Sequence, residues 1–212
     1  MTVASPAADT ALVTLDRVKL ELGLTGTDAN RDTVLQAKID EASEDIEAAL
    51  GFRVVRETAV ETFWHEQYDS VPDRLALDRI PIASIASVVV DGGDPLSNSL
   101  YRFDPKTGEL FALDTGGYPI PWFFCKSVVV TYDGGYILPG ASNSDLPAAI
   151  EGACIDLVSS YWSAKGRDPT VKSEEIPGVI STQYWVGAVG EDGELPPSVV
   201  TKLARWRRTG QA

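Results

Sequence analysis

The chain has 212 residues, 44% of them apolar, and a net charge of −13. That length holds one large domain or one core with an elaboration, and the apolar share excludes a wholly disordered chain. The acidic balance excludes a body that grips nucleic acid, because such affinity rests on Lys and Arg neutralising phosphates. The charge is uneven: residues 196–212 hold Lys202, Arg205, Arg207 and Arg208 and no acid, so residues 1–195 carry −17.

Residues 1–12 are small and polar and read as a loose leader. Thr14 can cap a short helix over 15–22, with Leu15, Val18 and Leu22 on one face and Gly23 ending it. The spacing of Leu35, Ile39, Ala42, Ile46, Ala49 and Leu50 predicts an amphipathic helix over 31–50, stopped by Gly51. From Phe52 to about 136 the signals are those of short strands. Val- and Thr-rich runs alternate with turns such as Asp91-Gly92-Gly93, Asp104-Pro105-Lys106-Thr107-Gly108 and Asp133-Gly134-Gly135, which suits a small antiparallel sheet or barrel. Asp145 as cap and Pro147 in the first turn open a helix over 145–166, lined by Ile150, Ala153, Cys154, Leu157, Val158 and Tyr161. Lys165 and Arg167 sit at its C-terminal end, where the dipole favours cations.

A Gly-rich, acidic arm over 167–195 follows, expected to order only in an assembly because it has little apolar area to offset the cost of ordering. Pro196-Pro197 then begin a short helix whose stripe is Val199, Leu203 and Trp206, flanked by Arg205, Arg207 and Arg208. Such a helix is marginal alone, and an arm of this kind is expected to bury its apolar face on a receiver outside its own body. The expected fold class is α+β. A small helical bundle (13–51 plus 144–166) carries an inserted antiparallel β region (52–136) and an extended C-terminal arm ending in a short helix (167–212).

The residues offer little for catalysis. His65 is the only histidine, and its strand neighbour Glu66 would point to the opposite face. The pairs Gly92-Gly93, Gly116-Gly117 and Gly134-Gly135 match neither a dinucleotide nor a P-loop pattern and read as turns. Carboxylate pairs such as Glu174-Glu175 read as solvated faces, and no cofactor or metal site is expected. Cys125 and Cys154 sit in apolar surroundings and read as buried, reduced thiols. No apolar run approaches ~18 residues, so no membrane span is expected. The N-terminus shows no signal-peptide pattern, which predicts a cytoplasmic protein. Trp185 and Trp206 lie in the arm, and Trp beside Arg is a composition enriched at protein interfaces.

Several segments, in order, resemble the head–tail connector (adaptor) proteins of tailed phages and of gene transfer agents. They are Leu15-Asp16-Arg17-Val18-Lys19-Leu20, Ile46 through Arg53, Arg79-Ile80-Pro81-Ile82-Ala83-Ser84-Ile85 and Val128 through Tyr136 before Asp145-Leu146-Pro147. Val171 through Ile176 and Leu195 through Arg208 continue the likeness, which runs over nearly the whole chain. The resemblance implies a non-enzymatic ring of twelve copies in the particle neck, assembled in a bacterial cytoplasm. Such a ring lies under the portal, extends the DNA channel without specific DNA binding, and offers a platform to a stopper or other tail-side neck protein. It also implies portal docking by the C-terminal tip, through Val199, Leu203, Arg205, Trp206, Arg207 and Arg208, with arm contacts at Lys172, Glu174, Ile176 and Trp185. Two readings compete. One is another neck component, a stopper or tail terminator, although those are β-dominated. The other is a small hydrolase with an unrecognised site.

Overall fold

The computed structural model describes residues 1–7, 9–64, 72–122, 125–164, 173–176, 180–183 and 195–207. The chain forms two compact units, Met1–Asp9 with Phe52–Ile137 and Thr10–Gly51 with Leu138–Ala212. His65 lies outside the described residues.

The second unit is helical. Helix α1 (Leu15–Glu21) is capped by Thr14, whose Oγ1 accepts from the Arg17 amide. Helix α2 (Ala29–Leu50) starts two residues before the periodicity does. Asp28 is its cap, accepting from the amides of Asn30 and Arg31, and Gly51 ends it in the left-handed region at φ +79°. Helix α3 (Ala148–Ala164) starts later than expected. Proline disfavours helical backbone in the residue before it, so Leu146 stays out of the helix. The Pro147 carbonyl accepts the first helical bonds, from Ile150 and Glu151.

Leu35, Ile39, Ala42 and Ile46 of α2 are fully buried, as are Ile150, Ala153, Leu157 and Val158 of α3, and the two helices pack together. A few polar groups are built into this core. Ser43 Oγ donates to the Ile39 carbonyl and accepts from the Leu12 amide at 3.1 Å, which pins the chain entering α1. The Tyr161 hydroxyl donates to Asp45, tying α3 to α2. Cys154 is buried, and desolvation pushes its thiol up to about 12, so it is a reduced core residue as the sequence suggested. Cys125 is only half-buried.

The first unit is two antiparallel sheets over one core. One sheet has the order β1 (Thr2–Ser5), β2 (Glu57–Trp64), β8 (Ser127–Gly134), β4 (Ile82–Val90). The other has β3 (Leu75–Ala76), β6 (Glu109–Leu113), β5 (Tyr101–Phe103), with β7 (Pro119–Ile120) also paired to β6. Strand β8 shows why they pair. Its Val128, Val130 and Tyr132 alternate with less buried residues, so one pleat face is apolar throughout. These residues meet Ala59, Val88, Tyr101, Leu110 and Trp122 in a common core. Trp122 is buried, and its indole donates to the Leu110 carbonyl.

The leader is not loose over its first residues. Thr2–Ser5 forms β1 because the outer edge of β2 offers unpaired backbone groups, and the pairing Thr2↔Val60 and Val3↔Ala59 satisfies them. The Ala7 amide then donates to Glu57 Oε1 at 2.7 Å.

That contact is part of a buried polar network. Glu57 and Glu61 lie four residues apart on the inner face of β2, 8% and 5% exposed, and Arg79 is 3% exposed. Arg79 Nη2 pairs with Glu57 Oε2 at 2.7 Å, while its Nε and Nη1 have no partner. Glu61 Oε1 accepts from the Tyr132 hydroxyl and the Asp78 amide, and the Tyr132 oxygen accepts from the Arg79 amide. Burial pushes the Glu61 carboxyl above its ordinary 4.5, against the pull of the Tyr132 and Asp78 hydrogen bonds.

A raised folded-state value makes the proton stabilise the fold below pH 4.5, a contribution lost as pH rises through the elevated value. Glu61→Gln is therefore expected to keep or raise stability at pH 7 and to flatten the pH dependence between pH 4.5 and pH 7. Glu57→Ala strands the Arg79 charge and is expected to cost ~3–5 kcal/mol. Urea denaturation at both pH values checks the contrast. At the end of β8, Gly135 has φ +103°, and a Cβ there would stand 2.4 Å from the Val55 carbonyl oxygen. Gly135→Ala is expected to cost at least ~1–3 kcal/mol from backbone strain, measured the same way.

Candidate functional site

The basic C-terminal tip is the site the sequence singles out, and it forms helix α4 (Pro197–Leu203). Pro197 takes the first helical position, and the Pro196 carbonyl accepts from the amides of Val199 and Val200. The helix is shorter than the three turns expected. It ends at Leu203, and the chain turns on through Trp206, whose amide donates back to the Leu203 carbonyl.

The apolar stripe does not wait for an outside receiver. Val199 and Leu203 are fully buried, and α4 packs on α3 of the same chain. The expectation that the tip cannot bury its own face fails because α3 is apolar on more than the side turned to α2. Ile155, absent from the stripe read in the sequence, is also buried. Gly152 and Asp156, four residues apart and so neighbours on the α3 surface, receive Lys202. Lys202 Nζ lies 2.6 Å from Asp156 Oδ2 and 3.2 Å from the Gly152 carbonyl oxygen.

The cations divide by what they touch. Arg207 is exposed, and its Nε donates to the Ala49 carbonyl at 3.2 Å. That carbonyl lies in the last turn of α2, which carries no basic residue of its own and where a cation is favoured. Arg205 is exposed, with its guanidinium 5.0 Å from the centroid of the half-buried Trp206 ring. Thr201, Ala204, Arg205 and Arg207 are all exposed. The tip thus offers a polar, basic outer surface on a helix fixed by its apolar stripe.

Of the other expected contact residues, Arg208, Lys172 and Trp185 lie outside the described residues. Glu174 and Ile176 lie in β9 (Ser173–Ile176), which pairs with β10 (Ile180–Gln183) in a two-stranded sheet. Among the described residues no cluster of three or more His, Cys, Asp or Glu could hold a metal ion, and no helix is long and apolar enough to cross a membrane.

Residues 12–88 match the family of phage gp6-like head-tail connector proteins. That stretch takes in α1, α2, β2, β3 and most of β4, and leaves the C-terminal helix outside. No curated protein matches the sequence. Among solved structures the chain is similar to a chain in the neck of an empty GTA particle computed with C6 symmetry, at TM-score 0.59 and 15% identity, over 100% of this chain and 99% of that one. It is similar also to a chain in the neck of a native GTA particle computed with C12 symmetry, at TM-score 0.56 and 17% identity, with the same coverage. A third likeness is to a chain of the virion of a native gene transfer agent particle, at TM-score 0.57 and 16% identity. At such identities the likeness shows a shared fold. The resemblance to head–tail connector proteins read from the sequence thus holds, in the family match over residues 12–88 and in the fold over the whole chain.

Proposed function

We propose that this chain is a structural head–tail connector, which forms a ring in the neck of a phage-like particle between the portal and the next tail-side component. The observation that carries the reading is the connector-family match over residues 12–88. Full-length likeness in fold to chains of a particle neck supports it, and the C12 symmetry of one such neck favours twelve copies. The helical unit weighs against a β-dominated stopper or terminator. The role needs no catalysis. A body with −17 over residues 1–195 suits a channel through which DNA slides without sticking.

Docking to the portal falls to the C-terminal tip. Val199 and Leu203 hold α4 on its own unit. Arg205, Trp206, Arg207 and the following Arg208 form the surface offered to an acidic patch on the portal. Lys172, Glu174, Ile176 and Trp185 of the arm add contacts within the assembly.

The test uses the full chain and portal-bearing particles lacking it. The wild-type chain is expected to fill the neck as a ring seen by imaging. Arg205→Glu with Arg207→Glu is expected to leave the fold intact and to lower neck occupancy about tenfold, as one unfavourable contact of ~1.4 kcal/mol would do. Leu203→Ala acts differently. It is expected to loosen α4 at a cost of ~2–5 kcal/mol, read as faster hydrogen exchange over residues 197–203 in the free protein. A wild-type chain absent from necks overturns the connector role, and full occupancy with the double reversal overturns the docking assignment alone.

A further inference from the structure

The two sheets of the β unit leave a seam open on one side. Strand β4 ends the first sheet and β5 ends the second, where among the described residues it is paired only with β6. A groove of about 300 Å³ spans from Ile85 of β4 to Tyr101, Arg102 and Phe103 of β5. A second groove of about 590 Å³ shares Arg102 and Phe103 and continues to Lys106, Glu109 and Phe111. An edge strand beside a partly apolar groove is a template for an added strand, which gains backbone hydrogen bonds from the edge and specificity from the groove.

The charges in the groove point to an acidic occupant. Arg102 and Lys106 are both exposed, in a body whose balance is strongly acidic. Arg102 lies over the Phe111 ring at 5.3 Å, and among the described residues neither cation forms an ion pair. The neighbouring carboxylates are engaged elsewhere. Asp104 Oδ1 accepts from the amides of Lys106 and Thr107, and Glu109 pairs with Arg74 at 3.1 Å.

The chain itself holds a segment of matching chemistry. Strand β9 reads Ser173-Glu174-Glu175-Ile176, and among the described residues it pairs with β10 and with no third strand. A two-stranded hairpin is marginal alone in water and gains stability by joining a sheet. We propose that β9 of one copy adds to the open edge of β5 in the next copy, bringing its acidic sequence alongside the Arg102 and Lys106 groove. This rests on the ring reading above and gives it a neighbour-to-neighbour link.

The experiment places Arg102→Cys and Glu174→Cys together in a Cys125→Ser background, in full-length chain assembled into necks and oxidised. A ladder of covalent dimers and larger species on a non-reducing gel is expected. A crosslink within single chains, or none at all in necks that contain the protein, overturns the strand addition while the ring reading stands. Necks lacking the wild-type chain overturn both. A second arm uses charge. Arg102→Glu with Lys106→Glu is expected to lower ring occupancy about tenfold, and adding Glu174→Lys with Glu175→Lys to restore it. Failure of the exchanged pair to restore occupancy also overturns the proposal.

Discussion

Burial of helix α3 from two sides is the constraint on which the helical unit depends. Its buried residues, from Ile150 to Tyr161, cover more of the surface than one neighbouring helix can shield. Helix α2 takes one side through Leu35, Ile39, Ala42 and Ile46. The other side would face water were it not for Val199 and Leu203 of α4, which lies beyond an arm of some thirty residues. Two fully buried aliphatic side chains contribute roughly 3–6 kcal/mol, enough to hold a short helix in place when the Lys202–Asp156 contact fixes its register. The C-terminal tip is therefore part of the fold before it is part of any interface. Its position is set by α3, and the proposed docking rests on what it shows outward.

That arrangement divides labour along the short basic segment. The residues at i and i+4, Val199 and Leu203, face in. The exposed residues carry Arg205 and Arg207. The contact from Arg207 to the Ala49 carbonyl also meets the negative end of the α2 dipole. A partner that competes for Arg207 must replace this contact, whereas Arg205 has only the Trp206 ring beneath it. Arg205 is accordingly the freer of the two to engage a carboxylate, and the half-buried Trp206 ring gives it a flat, weakly hydrated platform.

The helices and most of the strands were legible because their signals are local. Thr14, Gly51 and the turn residues around Asp91 and Asp104 each act through backbone within a few positions. The leader strand was not legible, since Thr2–Ser5 is a strand only because β2 has an edge to fill. The placing of α4 was not legible for a related reason. Reading one stripe on α3 hides Ile155 on the rest of that helix, and it hides the second packing partner, α4, about 40 residues later in the chain. The charged network of Glu57, Glu61 and Arg79 also escaped notice, as alternation along β2 marks these positions as inward without saying that their partners arrive from another loop. Of the candidate site, the residue types were legible, and the division between inward and outward faces was not.

Under the proposed ring assembly, the open edges of the β unit suit copies that pair on a template and not in free solution. Strand β5 has three residues, and β4 carries irregularities between Ile82 and Ser84 and between Ile85 and Ser87. Short strands and bulges are the devices by which soluble proteins blunt edge-to-edge pairing. A strand of four residues added to such an edge gains too little to form at the concentrations of a free monomer. Neighbours held side by side on a ring-shaped receiver raise the local concentration to the millimolar range, where the same weak contact forms on every copy. The acidic body adds to this selectivity, because copies that repel one another in solution need the template to bring them together. In that proposed ring, weakness of the edge is the property that couples ring closure to occupancy of the receiver.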